Sequence, residues 1–474
     1  MSSVPDIFYS EDSLPYFYEN NDFFEETILD VWKNCVVPSA LSIFYTVYKV
    51  ILINLCFSVI VSTGRVSQTV FHILSGSSGL LLLSCLESTK GKILIVVFFA
   101  QSYFLLHLGC MIQNKYDPVE KYNINKIRYL SNSNVVKYSL ITVLVFEYYL
   151  LETSTWFEIR GIVMVFAMKL ISLAEDMDKG VTNFPTFFRY FGYIFCGGNI
   201  MFGPWISFQE YIVSYHHPTQ KNLWWINGIL RALIISLFFL TVSNCWTNYF
   251  ITDDSNRWLI GYKEALSFRT SHYFICYLSE VSMLAAGFKN YNIWYDPNKW
   301  RFIITDPLKI EMPNALAIVV TNWNRPMHEF LKRYNFSDIY KSWLPLGRFY
   351  GILITFIVSS FLHGFEFKVS VVLITIGVFS YLQFAVRDRL ARTFDACIRV
   401  YPCKGKCNHK YKRDGILCRI CLIVFSLFTV LHLIYLGVLM DSSTDDVGIY
   451  EKWNNLYFIS FWVMLVNILI IIVI

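Results

Sequence analysis

The sequence predicts an all-α protein that crosses a membrane many times, and three observations carry the prediction. Hydrophobic residues make up 55% of the 474 residues and charged residues only 16%, against about a quarter charged in a soluble domain. Aromatic side chains are abundant, with 41 Phe and 31 Tyr. The apolar residues also gather in blocks long enough to cross about 30 Å of hydrocarbon as helices. A membrane β-barrel needs short segments of alternating polarity instead, and the block pattern excludes it.

In chain order, residues 1–34 form an acidic segment (Asp6, Glu11, Asp12, Glu19, Asp22, Glu25, Glu26, Asp30). It lacks the basic-then-apolar order of a cleavable signal. Residues 35–474 read as one transmembrane domain. Apolar blocks fall at 44–62, 66–85, 92–113, 135–152, 156–174, 188–208, 225–246 and 262–286. Others follow at 348–365, 367–386, 416–440 and 456–474, with a less regular one at 314–330. The expectation is a bundle of eleven to thirteen helices.

A formal charge of +5 gives no reason to expect nucleic acid. Its distribution is more telling. The densest basic stretch, 387–413, holds Arg387, Arg389, Arg392, Arg399, Lys404, Lys406, Lys410, Lys412 and Arg413. Short loops rich in Lys and Arg stay in the cytosol. That places "DSSTDDVGIYEKW" on the lumenal side and the turn at 364–368 toward the lumen. The sequon at Asn335 lies among Lys332, Arg333 and Lys341, on the cytosolic side, and is expected to stay unmodified.

Twelve cysteines are scattered along the chain, most of them inside apolar blocks. Cys403, Cys407, His409, Cys418 and Cys421 follow the pattern C-x3-C-x-H-x8-C-x2-C. A closed zinc site needs four such ligands. However, Cys418 and Cys421 fall on the first turns of a helix and the intervals are irregular, so reduced, metal-free thiols are expected. The chain has no phosphate-binding loop, dinucleotide fingerprint or nucleophile elbow. It also has no inverted duplication of the kind that builds many transporters.

Ionisable groups inside hydrocarbon are functional suspects. Arg160 and Lys169 share one block and are expected to pair with carboxylates on neighbouring helices. The block Ala265–Phe288 carries Arg269, His272 and Glu280. At 3.6 residues per turn, Tyr273, Tyr277 and Glu280 share a face that either lines a polar cavity or packs against other helices. Asn324 precedes Pro326, which starts or breaks a helix, so Asn324 is held near a helix N-terminus. One connection and one helix further on, His363 interrupts "TFIVSSFLHGFEFKVSVVLI". It reads either as a core histidine or as half of an Asn–His acyl-transfer pair.

"TNWNRPM" followed by "SSFLHGFEF" resembles the Asn and His signature of the membrane-bound O-acyltransferases. "TWFEIRGIVMVFAMKLISL", "NIMFGPWISFQEY", "SHYFICYLSE", "DPLKIEMPNAL" and "RDRLARTFDACI" are similar to one branch of that family, and the likeness covers about 156–440. The resemblance implies a helical bundle with a buried catalytic cavity. It makes His363 the general base and Asn324 the residue that orients the donor or stabilises the oxyanion. Ser359, one turn before His363, and Trp323 are expected to line the same cavity, with Tyr273 and Glu280 as further substrate contacts. It implies palmitoleoyl-coenzyme A as donor with no permanently bound cofactor, a serine of a Wnt protein as acceptor, and the endoplasmic reticulum membrane, with its lipids, as the setting. Two other readings stay open: an acyltransferase for another protein or lipid acceptor, and a transporter or receptor with no covalent product.

Overall fold

The computed structural model describes residues 27–116, 152–219, 221–288, 302–335, 347–364, 366–403, 407–440 and 448–474. Most of the acidic segment, the expected span at 135–152 (save residue 152), most of the Asn335 sequon and residues 441–447 lie outside them. Among the described residues nearly everything is helix, and the one β-bridge joins Ala396 to Tyr411.

Helix α1 (Ile28–Ser62) opens on a capping box between Thr27 and Asp30 and passes through a π turn at Trp32–Val36. α2 (Gln68–Leu83) carries Ser75, Gly76, Ser78 and Gly79 on a buried face. These small residues let another helix approach closely: a Cβ at Gly79 would meet the carbonyl oxygen of Phe195 at 1.7 Å. α3 (Thr89–Tyr116), α4 (Thr153–Asp178), α5 (Phe187–Ile194), α6 (Phe208–His216), α7 (Leu223–Phe250) and α8 (Arg257–Ala285) follow. The short helices α9 (Pro307–Glu311), α10 (Leu316–Trp323) and α11 (Arg325–Phe330) lead to α12 (Arg348–Leu362) and α13 (Phe367–Thr393). α14 (Ile416–Met440) and the pair α15 (Ile449–Asn455) and α16 (Ile459–Val473), bent by 77°, complete the chain.

Five described helices are long and apolar enough to cross a membrane alone: α1, α3, α7, α13 and α14, with α15–α16 a sixth if the bent pair is one span. Other helices stand at expected blocks without passing that test alone, for physical reasons. α2 and α12 have only 16 and 15 residues. α4 and α8 are long but charged, and protein rather than lipid surrounds much of them, with Lys169, Glu175, Arg269, His272 and Glu280 all buried.

The block at 188–208 is not one helix. α5 ends at Ile194, and the chain turns through Gly197, Gly198 and a cis Gly203–Pro204 bond before α6. The break has a partner. Lys169 is buried and was expected to face a carboxylate, but its ammonium donates to the carbonyls of Tyr193 (2.9 Å) and Ile194 (3.0 Å) and to Oδ1 of Asn199 (2.7 Å). Carbonyls freed at a helix C-terminus suit a cation, and non-helical backbone survives at membrane depth only when protein satisfies it. Asn199 in turn donates Nδ2 to the carbonyl of Pro204 at 2.9 Å.

Lys169→Met removes three donors at once and leaves three buried acceptors, each costing about 1–3 kcal/mol when unsatisfied. The purified variant should melt well below the wild type in the same detergent. An unchanged melting temperature would show that the broken segment does not depend on this ammonium.

Candidate active site

Two interrupted helices meet at one cavity. Between α10 and α11 the backbone of Asn324 is extended (φ −142°, ψ 92°), and its Oδ1 accepts from the backbone N–H of Met327 at 3.1 Å. Pro326 supplies the fixed φ of a helix start. With Oδ1 engaged as the N-cap, the Nδ2 edge of the amide is the one left for the cavity. The segment before it is tied down by main-chain bonds, from Arg325 to Ile304 (2.8 Å) and from Asp306 to Asn322 (3.1 Å).

His363 is the last residue of the second interruption. It caps α12, its N–H donating to the carbonyls of Ser359 and Ser360. Gly364 follows in the left-handed region at φ +86°, the common C-terminal stop of a helix. It must be glycine for a second reason: a Cβ there would lie 2.8 Å from Cζ2 of Trp156 on α4. Glu366 then forms an ion pair with Arg160 of α4, so one carboxylate was indeed the expected partner of one cation. Ser360 and Ser370 close the turn with a 2.6 Å hydroxyl bond.

His363 and Asn324 both line a cavity of about 1290 Å³, above the roughly 300–1,000 Å³ common for small-molecule sites. α4 lays Arg160, Gly161, Met164, Val165 and Met168 along one wall, the spacing of one helical face. Residues 201–205, on both sides of the cis bond, and α8, through Phe274 and Leu278, complete an apolar channel. One end reaches Lys90, Glu152 and Glu158 at the starts of α3 and α4, so the space is apolar along its length and polar at its mouth.

The other expected site residues do not line this cavity. Tyr273 is buried and donates to Oε1 of Glu311 at 2.7 Å, beside the bidentate pair of Arg269 with Glu311 (2.8 and 2.9 Å). It fastens α8 to α9. Glu280 is buried on the same helix, away from the cavity. Ser359 contributes its carbonyl to the His363 cap and has its side chain buried elsewhere. Trp323 acts one layer out, stacked on His272 with ring centroids 4.3 Å apart.

His272, named in the sequence among the ionisable groups of its block but given no place in the site, is an imidazole in an apolar helix. It lines the cavity between α8 and Asn324. Its Nε2 lies 2.9 Å from the carbonyl of Trp323, which puts the proton on Nε2. Nδ1 is then a lone pair, without a hydrogen-bond partner among the described residues. Gly161 carried no signal at all.

A helical membrane bundle with an Asn and a His lining one apolar cavity holds groups that an intramembrane acyltransferase could use. The chain is a member of the membrane-bound O-acyltransferase family, whose model matches residues 122–409. It is similar to the protein-serine O-palmitoleoyltransferase porcupine of Anopheles gambiae, with 33% identity over 93% of this chain and 92% of that one. The porcupine enzymes of Mus musculus and Homo sapiens are 34% and 33% identical over 68% of this chain and 75% of theirs.

A side chain at Gly161 would project into open cavity, with no atom within 4 Å of its Cβ. Gly161→Leu should therefore block the channel beside Arg160 while leaving the fold intact, with a gain of about 1 kcal/mol in helix propensity. The expected result is an unchanged or raised melting temperature with transfer of a sixteen-carbon acyl group lost. Full activity in a folded G161L protein would show that the acyl chain does not use this channel.

Proposed function

We propose that the chain transfers a palmitoleoyl group from coenzyme A to a serine hydroxyl of a Wnt protein, in the membrane of the endoplasmic reticulum. The observation that carries the reading is the meeting of His363 and Asn324, from two separate helix interruptions, in one apolar cavity. Family membership and the porcupine relatives support the reaction class and a protein serine as acceptor, and the motif resemblance adds the Wnt protein. A transporter or receptor needs no such pair.

The chemistry follows from the groups present. A seryl hydroxyl is a weak nucleophile until a base takes its proton during attack on the thioester. The neutral imidazole of His363 accepts that proton as the serine oxygen bonds to the acyl carbon. The thioester carbonyl becomes an oxyanion, to which Nδ2 of Asn324 donates. Collapse of the tetrahedral intermediate forms the ester and breaks the carbon–sulfur bond, and the imidazolium returns its proton to the leaving sulfur. The apolar wall of α4 holds the chain.

Two independent signals support a sided arrangement. The disulfide Cys35–Cys245 joins the start of α1 to the end of α7, and disulfides persist in an oxidising compartment. Next to it, Ser243 donates to the carbonyl of Ser267 on α8, and Gly437 of α14 seats against Ala265. α14 then runs back roughly 33 Å, at 1.5 Å per residue, to the basic loop that charge assigns to the cytosol. Lumenal disulfide and cytosolic basic loop thus fall at opposite ends, as a cytosolic donor and a secreted acceptor require.

Purified protein incubated with palmitoleoyl-coenzyme A and a Wnt hairpin peptide should add one palmitoleoyl mass to the serine. His363→Ala should lower the rate by about 10² to 10⁴, and Asn324→Ala by about 10² to 10³, each with binding of acyl-coenzyme A retained. A His363→Ala protein that melts early yet acylates at near wild-type rate would make the histidine structural. Transfer to a lipid or another peptide, with none to the Wnt serine, would keep the acyltransferase and change the acceptor.

A further inference from the structure

Between α13 and α14 the chain forms a compact knob with little regular structure of its own. Asp395 adopts a left-handed backbone at φ 47°. The N–H of Cys397 donates to the carbonyl of Tyr411 at 2.9 Å, that of Tyr411 to the carbonyl of Asp395 at 3.1 Å, and that of Lys410 to the carboxylate of Asp395 at 2.9 Å. From α13, the fully buried Arg387 donates to the carbonyls of Ile398 (2.8 Å) and Arg399 (3.2 Å), and across to Asn314 (2.6 Å).

These bonds gather four soft donors. One ligand atom each from Cys397, Cys403, Cys407 and His409 lies within 4.8 Å of all the others. Sγ of Cys397 and Sγ of Cys403 are 3.7 Å apart, and Nδ1 of His409 is 3.5 Å from Sγ of Cys403 and 3.2 Å from Sγ of Cys407. A tetrahedral zinc with Zn–S of about 2.3 Å and Zn–N of about 2.0–2.1 Å has S–S edges of about 3.8 Å and S–N edges of about 3.5 Å. The observed spacings are close to those edges and too long for a disulfide, which needs about 2.05 Å.

We propose that Cys397, Cys403, Cys407 and His409 bind one structural zinc ion. Three thiolates and an imidazole favour zinc over calcium or magnesium, which prefer oxygen. Four protein ligands close the tetrahedron and leave no position for a catalytic water. The sequence reading expected no metal because it counted Cys418 and Cys421, which point elsewhere: the Cys418 thiol reaches the carbonyl of Tyr411 at 3.5 Å, and Cys421 is exposed on α14. The fourth donor is Cys397, just past the end of α13. The metal would hold the carbonyls that grip Arg387, and through Asn314 it would brace the connection into α10, which ends beside Asn324. Ser426 and Gln383 grip the same connection, bonding to the carbonyl of Pro313 (2.7 Å) and the N–H of Leu316 (2.8 Å).

The test is elemental analysis of the full chain, purified in detergent and washed with chelator. One zinc per chain is expected. It should be lost in the Cys403→Ser, Cys407→Ser double variant and kept in the Cys418→Ser, Cys421→Ser double variant. Because losing the metal can unfold the knob, His409→Cys serves as the conservative variant and should keep one zinc through four thiolates. In wild-type protein, exchange with cobalt(II) should give the absorption of a tetrahedral cobalt–thiolate centre. Folded wild-type protein with zinc far below one per chain, or zinc retained when Cys403 and Cys407 are both serine, overturns the proposal.

Discussion

The ion pair between Arg160 and Glu366 is the contact on which the active-site arrangement depends. Arg160 sits on the cavity wall formed by α4, and Glu366 is the residue that starts α13. A charge inside a membrane bundle must be paired, and breaking a buried pair is more costly than the pair is stabilising. The pair therefore fixes the turn between α12 and α13, and the imidazole of His363 with it, against the helix that lines the channel. Gly364 permits the approach, since no side chain fits between that turn and Trp156.

The same requirement shapes the rest of the bundle. Three of the buried cations among the described residues find their partners outside the long helices. Lys169 is met by the broken segment after α5, Arg269 by Glu311 on the short helix α9, and Arg387 by the knob before α14. Loops and helix ends offer carbonyls that an intact helix keeps for itself, which is why non-helical backbone appears at these points and is enclosed by protein. The irregular pieces also line the cavity. Residues 201–205 line the channel, and the break between α10 and α11 presents Asn324.

Much of this was legible in the sequence where the signal is local. Lipid-facing helices declare themselves by composition, and α1, α3, α7, α13 and α14 fall where the apolar blocks fall. Asn324 and His363 stand beside Pro326 and Gly364, which mark helix interruptions wherever they occur. What depends on a distant partner was not legible. No pattern within 188–208 tells that Lys169 claims its carbonyls. A shared helical face could not tell whether Tyr273 meets a cavity or Glu311, and the two outcomes differ only in what another helix brings. Cys397 was hidden because it stands six residues before Cys403 and ten before Cys407, and only the fold of the knob brings it to them.

The account places the acyl chain along the α4 wall at Gly161, Met164, Val165 and Met168, in the cavity that His363 and Asn324 also line. The most direct measurement is photo-crosslinking with palmitoleoyl-coenzyme A that carries a diazirine in its chain, followed by peptide mass mapping. Labels on Met164, Val165, Met168 or residues 201–205, suppressed by unlabelled palmitoleoyl-coenzyme A, are the predicted result. Labels confined to lipid-facing residues such as Phe44, Ile234 and Leu427, unaffected by competitor, would contradict it.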